Sequence, residues 1–182
     1  MRVICLCGFM GCGKTTVGAL LARQLGWRFE DLDARIEHAT ALSIPSIFEQ
    51  MGEPAFRNIE LRQLEAALGQ AGESHEPLVL ALGGGTYAQP GNAERLRSAG
   101  AVVIWLDCPV ELLLSRCATM TNRPLFRDEQ SFRNLLTARL PFYAQADHRV
   151  AGGGEPSRIV EEVLALPLVQ RLTGTGDGVP LR

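Results

Sequence analysis

A chain of 182 residues, 46% apolar and 21% charged, can bury one core of ordinary domain size. Its formal charge of −2 excludes the basic excess of a nucleic-acid or anionic-membrane binder, and no apolar run reaches the roughly 18 residues that a spanning helix needs. The five cysteines are odd in number and match no disulfide framework or zinc motif, which points to a reducing, cytoplasmic setting.

The N-terminus, "MRVICLCG", has too short an apolar part to be a secretory leader. Arg2–Cys7 reads instead as a short buried strand, with Cys5 and Cys7 as small core hydrophobes. It runs into a spacing of Gly8, four residues, then Gly13-Lys14-Thr15, the pattern of a phosphate loop whose backbone N–H groups curl around phosphate oxygens. Among eighteen basic residues Lys14 is the single lysine. Arginine is a planar fork and lysine a slim point charge. A chain that otherwise uses arginine thus keeps its one lysine where an ammonium must reach between phosphates. A helix follows from near Gly13, with Val17, Leu20, Leu21 and Leu25 at helical spacing and Gly26 as its stop. Its N-terminus adds partial positive charge where phosphate would sit.

Arg28–Asp33 reads as a second strand with an acidic end. On an extended segment Asp31 and Asp33 share a side, so one could hold Mg²⁺ while the other orients an alcohol and accepts its proton. A turn and helix cap is the plain alternative. Helix is expected from Asp33 to about Gly69, broken near Ser43-Ile44-Pro45 and at Gly52. Within it Arg57 and Glu60 are three apart and can pair, as on any solvated helix face. The buried run Leu78–Leu82 ends in Gly83, Gly84 and Gly85. Three glycines cost more entropy than a bare turn requires, so they suit a small polar ligand that touches the backbone.

"NAERLRSAG", "AVVIWL" and "VELLLSRC" read as helix, buried strand and helix. "ATMTNRPLFRDEQ" then loses periodicity, which suits a mobile lid over about 117–130 that carries Arg123 to the phosphates; an ordinary exposed arginine is the alternative. "SFRNLLTARLPFYAQA" returns to helix and sets Arg139 two residues before Pro141, a proline that costs about 3 kcal/mol inside a helix. "HRVA" is a last strand and "SRIVEEVLAL" a last helix. One domain over 1–168 is expected, with a disordered tail over 169–182. Short apolar strands alternating with amphipathic helices give an α/β fold of three layers, a parallel sheet covered on both faces. Its ligands sit at the carboxyl ends of the strands, where the loop, the aspartates and the glycines all fall.

Together "GFMGCGKTTVG", "FEDLD", "GEPAFRNIE", "LGGG", "NRPL" and "RLPFY" resemble the shikimate kinase family over most of the chain. The resemblance implies a P-loop kinase fold like that of the nucleoside monophosphate kinases, with five parallel strands flanked by helices. It implies a monomer that uses MgATP to phosphorylate the 3-hydroxyl of shikimate, on the route to chorismate and the aromatic amino acids. By motif position Gly11, Cys12, Gly13, Lys14, Thr15 and Thr16 would bind nucleotide, with Arg123 from the lid and Arg116 near adenine. Thr15 and Asp31 would serve the metal. Asp33 would hold the shikimate hydroxyls and act as base, and Lys14, Asp33 and Arg123 would be the catalytic groups. Arg57 and Arg139 would bind the shikimate carboxylate, beside the backbone of Gly83, Gly84 and Gly85.

Two departures stand out. Cys12 replaces the family's usual serine or alanine; a thiol at a helix N-terminus can gain thiolate character and become alkylation-sensitive unless nucleotide covers it, but an inert, packed cysteine is the favoured reading. "VAGGGEP" replaces a Val-Asp-Thr type sequence on the adenine side. Two other functions compete: a gluconate kinase-like enzyme, similar mainly at the phosphate loop, and a non-catalytic nucleotide-binding regulator. Lys14, Thr15, Asp31, Asp33 and Arg123 together speak against the regulator.

Overall fold

Five short segments become strands because their apolar residues can be covered on both sides. They are β1 (Val3–Cys7), β2 (Arg28–Asp31), β3 (Leu78–Ala81), β4 (Val102–Asp107) and β5 (His148–Ala151). In the computed structural model, which describes residues 1–118 and 128–174, they form one sheet in the order β2-β3-β1-β4-β5, with every pairing parallel. All five residues of β1 are buried, as are all four of β3. That explains their continuous rather than alternating hydrophobicity. Cys5 lies opposite Leu80 on one side and Val103 on the other.

The helices are α1 (Lys14–Leu25), α2 (Leu32–Thr40), α3 (Ile44–Ser74), α4 (Asn92–Ser98), α5 (Val110–Ala118), α6 (Glu129–Tyr143), α7 (Pro156–Leu164) and α8 (Pro167–Thr173), with a 3-10 turn at Thr86–Ala88. α1 packs on β2 and β3 and against α7. The strand order reverses at β1, with β3 on one side and β4 on the other, so the segment after β1 sits at the topological switch point where such sheets bind ligands.

Several boundaries differ from the sequence expectation. β2 stops at Asp31, which caps α2, so Asp33 belongs to a helix and the two aspartates do not share a strand. Leu32 between them is fully buried, and its apolar side chain between two acids reads equally well as the next residue of a strand. α3 runs past Gly69 to Ser74, with non-helical backbone at Gly52. The chain after 168 is not disordered from its start: Pro167 opens α8, whose Val169 is fully buried and which packs on α7. Of the expected lid, Cys117 and Ala118 close α5 and Asp128 caps α6. Residues 119–127, Arg123 included, lie outside the described residues.

Candidate active site

The loop between β1 and α1 turns on three left-handed glycines, Gly8 (φ 138°), Gly11 (φ 78°) and Gly13 (φ 96°). Gly8 is required twice over, because a Cβ there would also lie 2.7 Å from the Leu106 carbonyl oxygen. Lys14 folds across this loop, donating from Nζ to the carbonyls of Gly8 (2.9 Å) and Phe9 (3.0 Å). Three successive loop carbonyls are also held from the α5 side. Cys117 Sγ donates to Met10 O (3.8 Å), Arg116 Nη1 to Gly11 O (3.0 Å) and Cys108 Sγ to Cys12 O (3.5 Å). Burial pushes the Cys108 thiol up to about 11, with the neighbouring Cys12 adding to the rise, so it remains a protonated donor at neutral pH. Cys12 is only 1% exposed. The thiol is packed into the interior, in line with the inert reading and against the alkylation-sensitive one.

Asp31 serves the cap and the site together. Its Oδ1 accepts from the amides of Asp33 (2.9 Å) and Ala34 (3.3 Å), while its Oδ2 accepts from Thr15 Oγ1 (2.6 Å). One oxygen holds the start of α2 and the other faces the loop.

Two cavities open at the carboxyl ends of the strands. The first, ≈ 420 Å³, is lined by Gly11, Cys12, Gly13, Lys14, Thr15 and Thr16 of the loop, by Asp31 and Arg116, and by Gly153, Gly154 and Pro156 beyond β5. The second, ≈ 480 Å³, lies under α3 and is lined by Ile44, Pro45, Phe48, Phe56, Arg57, Glu60, Gly83, Gly84, Gly85 and Arg139, among others. Met10, Asp33 and Gly84 line both.

The second cavity gathers positive charge. A Cβ on Gly85 would lie 2.9 Å from Arg57 Nη2 and 3.0 Å from Arg139 Nη2, so two guanidinium groups converge above that glycine. Like charges this close need anchoring. Arg57 donates to Glu53 (3.0 Å) and to Glu60 (2.8 Å). Arg139 donates to Gly84 O (3.2 Å) and lies 5.5 Å from the centre of the Phe9 ring. Tyr143, one turn beyond Arg139 on α6, also donates to Gly84 O (2.5 Å), and burial holds its phenol well above the usual tyrosine range.

Of the residues singled out from sequence, the structure brings those of the loop, Asp31 and Arg116 to the first cavity. Arg57, Arg139 and Gly83–Gly85 come to the second, and Asp33 stands between the two. Arg123 lies outside the described residues. Sequence reasoning missed the burial of Glu60, only 1% exposed, and the parts of Met10, Thr86 and Tyr143. The i,i+4 spacing of Arg139 and Tyr143 would have put both on one helix face. No local pattern could have paired Thr86 with a residue twenty-six positions away.

A glycine loop at the switch point of a parallel sheet, followed at once by a lysine and a threonine, makes this a phosphate-loop nucleotide-binding protein. The model of the shikimate kinase family matches residues 10–166. A shikimate kinase of Persephonella marina is 42% identical over 166 residues, covering 90% of this chain and 98% of the relative. Among solved structures, shikimate kinase from Acinetobacter baumannii in complex with shikimate superposes with a TM-score of 0.83 at 37% identity, over 98% of this chain and 96% of that one. Shikimate kinase from Aquifex aeolicus gives a TM-score of 0.78 at 34% identity, over 98% and 100%. The chain belongs to the shikimate kinase family.

Proposed function

We propose that this protein transfers the γ-phosphoryl group of MgATP to the 3-hydroxyl of shikimate, in the pathway to chorismate. The observation that carries this reading is the seam of the two cavities at Asp33, Met10 and Gly84. Phosphoryl transfer asks a protein mainly for positioning and charge neutralisation. A carboxylate at the seam can orient the acceptor hydroxyl toward the phosphate and accept its proton. Shikimate is small, polar and anionic. Arg57 and Arg139 above Gly85 suit its carboxylate, since a guanidinium can grip both oxygens. Each such charged hydrogen bond contributes about 1.5–3 kcal/mol, enough for two arginines to favour an acid over a neutral polyol. The apolar walls of Ile44, Phe48 and Phe56 suit the carbocycle.

On the nucleotide side Lys14 would leave the loop carbonyls for the β- and γ-phosphates, and the backbone from Gly11 to Thr16 would cradle them. Thr15 Oγ1 and Asp31 Oδ2 are hard oxygen donors beside one another, a set that fits Mg²⁺. That ion would neutralise charge on the phosphate oxygens. Arg116, with Gly153, Gly154 and Pro156, would border the adenine, and Arg123 would bring a further cation. Five buried free thiols suit a reducing cytoplasm, and no helix among the described residues is long and apolar enough to cross a membrane. We take the enzyme to act as a monomer.

The test is a coupled ADP-release assay with shikimate, with gluconate and with no acceptor. Shikimate alone is expected to drive release. Release of equal rate with gluconate, or without any acceptor, would overturn the assignment.

A further inference from the structure

Thr86 is fully buried at the first position of the 3-10 turn that follows Gly83–Gly85. Its backbone is fixed from both sides: its amide donates to Gly83 O (3.1 Å), and its carbonyl accepts from Nδ2 of the buried Asn92 (2.8 Å). The hydroxyl is thus delivered to a set place, where it donates to Glu60 Oε1 at 2.6 Å. The other oxygen, Glu60 Oε2, accepts from Arg57 Nη1 at 2.8 Å. Each oxygen of this carboxylate has its own donor, and two bonds from opposite sides fix its plane. Glu53, the other anion on Arg57, is more than half exposed and cannot set an orientation in the same way.

The surroundings sharpen the point. A Cβ placed on Gly83 would meet Asp33 Oδ1 at 2.7 Å, Thr86 Oγ1 at 2.8 Å and Glu60 Oε1 at 3.1 Å. The hydroxyl therefore lies with two carboxylates over one glycine, and it donates to the one that holds Arg57. Without that donor, a buried carboxylate oxygen would be left unsatisfied close to a second acid. Such an oxygen is costly and moves to find a partner. The guanidinium that Glu60 already holds is such a partner.

We propose that Thr86 is a positioning residue for acceptor recognition: its hydroxyl locks Glu60, and Glu60 aims Arg57 at the acceptor's carboxylate. The inference rests on reading the second cavity as the shikimate site. It makes a serine or threonine hydroxyl at this position a determinant of affinity for the acid, separate from the nucleotide side.

The experiment compares Thr86→Val, Thr86→Ala and Thr86→Ser with the unaltered enzyme. Shikimate-dependent ADP release by the unaltered enzyme tests the functional reading itself, and the variants test Thr86. Valine and alanine are expected to raise KM for shikimate about five- to tenfold, less than the loss of a whole hydrogen bond to a charged group because Arg57 is misaimed rather than removed, with KM for ATP and kcat within about twofold. Serine, which keeps the hydroxyl, should restore KM. The methyl ester of shikimate lacks the carboxylate charge, and Thr86→Val should use it nearly as well as the unaltered enzyme does. Alanine gives the same readings if valine is not tolerated in the fold. The proposal is overturned if valine and alanine leave KM for shikimate unchanged. It is equally overturned if shikimate, its ester and ATP all worsen together and serine does not rescue, since that is the signature of a loosened core.

Discussion

At Gly85 a methyl group can damage the site without damaging the fold. Its backbone lies in the right-handed region (φ −107°, ψ −10°), open to any residue. An added Cβ would crowd the guanidinium ends of Arg57 and Arg139, flexible ends that can shift by about a few tenths of an ångström without leaving Glu60 and Gly84 O. Gly85→Ala is therefore expected to keep its Tm within about 2 °C while raising KM for shikimate about tenfold or more, as two charged contacts are displaced. Gly8→Ala should do the reverse of the first part, losing several degrees in a thermal scan, because both φ 138° and the Leu106 carbonyl stand in its way. Arg57→Lys probes the same cavity from the side of the cation. The charge stays but the fork is lost, and with it simultaneous contact to Glu53, Glu60 and an acceptor carboxylate. KM for shikimate should rise about tenfold with a smaller change in kcat, the loss expected of one charge-assisted bond. An unchanged KM would remove Arg57 from the carboxylate.

Among elements, α3 does the most to shape the second cavity. At Gly52 its backbone has φ 78° and ψ 169°, a conformation essentially closed to other residues. The bend lets the arm before it bring Ile44, Pro45 and Phe48 to the cavity while the arm after it brings Phe56, Arg57 and Glu60. The Phe48 and Phe56 rings meet across the bend, 4.6 Å between centres. Gly52→Ala is expected to cost about 1–3 kcal/mol of stability and, unlike Gly85→Ala, to lower Tm and weaken shikimate binding together, because a change of backbone at the bend shifts one arm of the cavity against the other. Thermal unfolding and a shikimate titration on one preparation would check it. The break at Gly52 was legible in the sequence, as were β1, β3 and the loop, because glycines and unbroken apolar runs are local signals. The end of β2 was not. Leu32 is apolar whether it continues a strand or opens a buried helix face, and only the fold decides that Asp31 caps. α8 was hidden for the opposite reason: seven residues carry too little periodicity, and the burial of Val169 depends on α7 already being in place. Arg57 and Glu60 could be paired from spacing, but not their burial against a turn that arrives from beyond β3.

For the molecule as a whole, the scarcity of lysine that marks the phosphate loop also isolates the titration of the core. Lysines ordinarily dominate the range between pH 9 and 11, with a pKa of about 10.4. Here there is one lysine against five cysteines and two tyrosines. Cys5 and Cys7 lie fully buried on the central strand, and burial raises both thiols far above their ordinary range. Asp147 adds to the rise at Cys5, and Lys14 partly offsets it at Cys7. Tyr87 is pushed up to about 12, again chiefly by burial. A thiol that ionises near pH 8.5 when unfolded but stays neutral when folded holds its full stabilisation below that pH. It loses stability as pH rises, by roughly 1.4 kcal/mol per pH unit, until the folded pKa is reached. Denaturant unfolding in the presence of a reductant should therefore show stability falling steeply between about pH 9 and pH 10.5. Cys5→Ala will be less stable at neutral pH through the small cavity it leaves, but its slope above pH 9 should be shallower by roughly one thiol's share. Equal slopes in the two proteins, or a flat profile across that range, would mean that the centre of the sheet does not keep Cys5 from ionising.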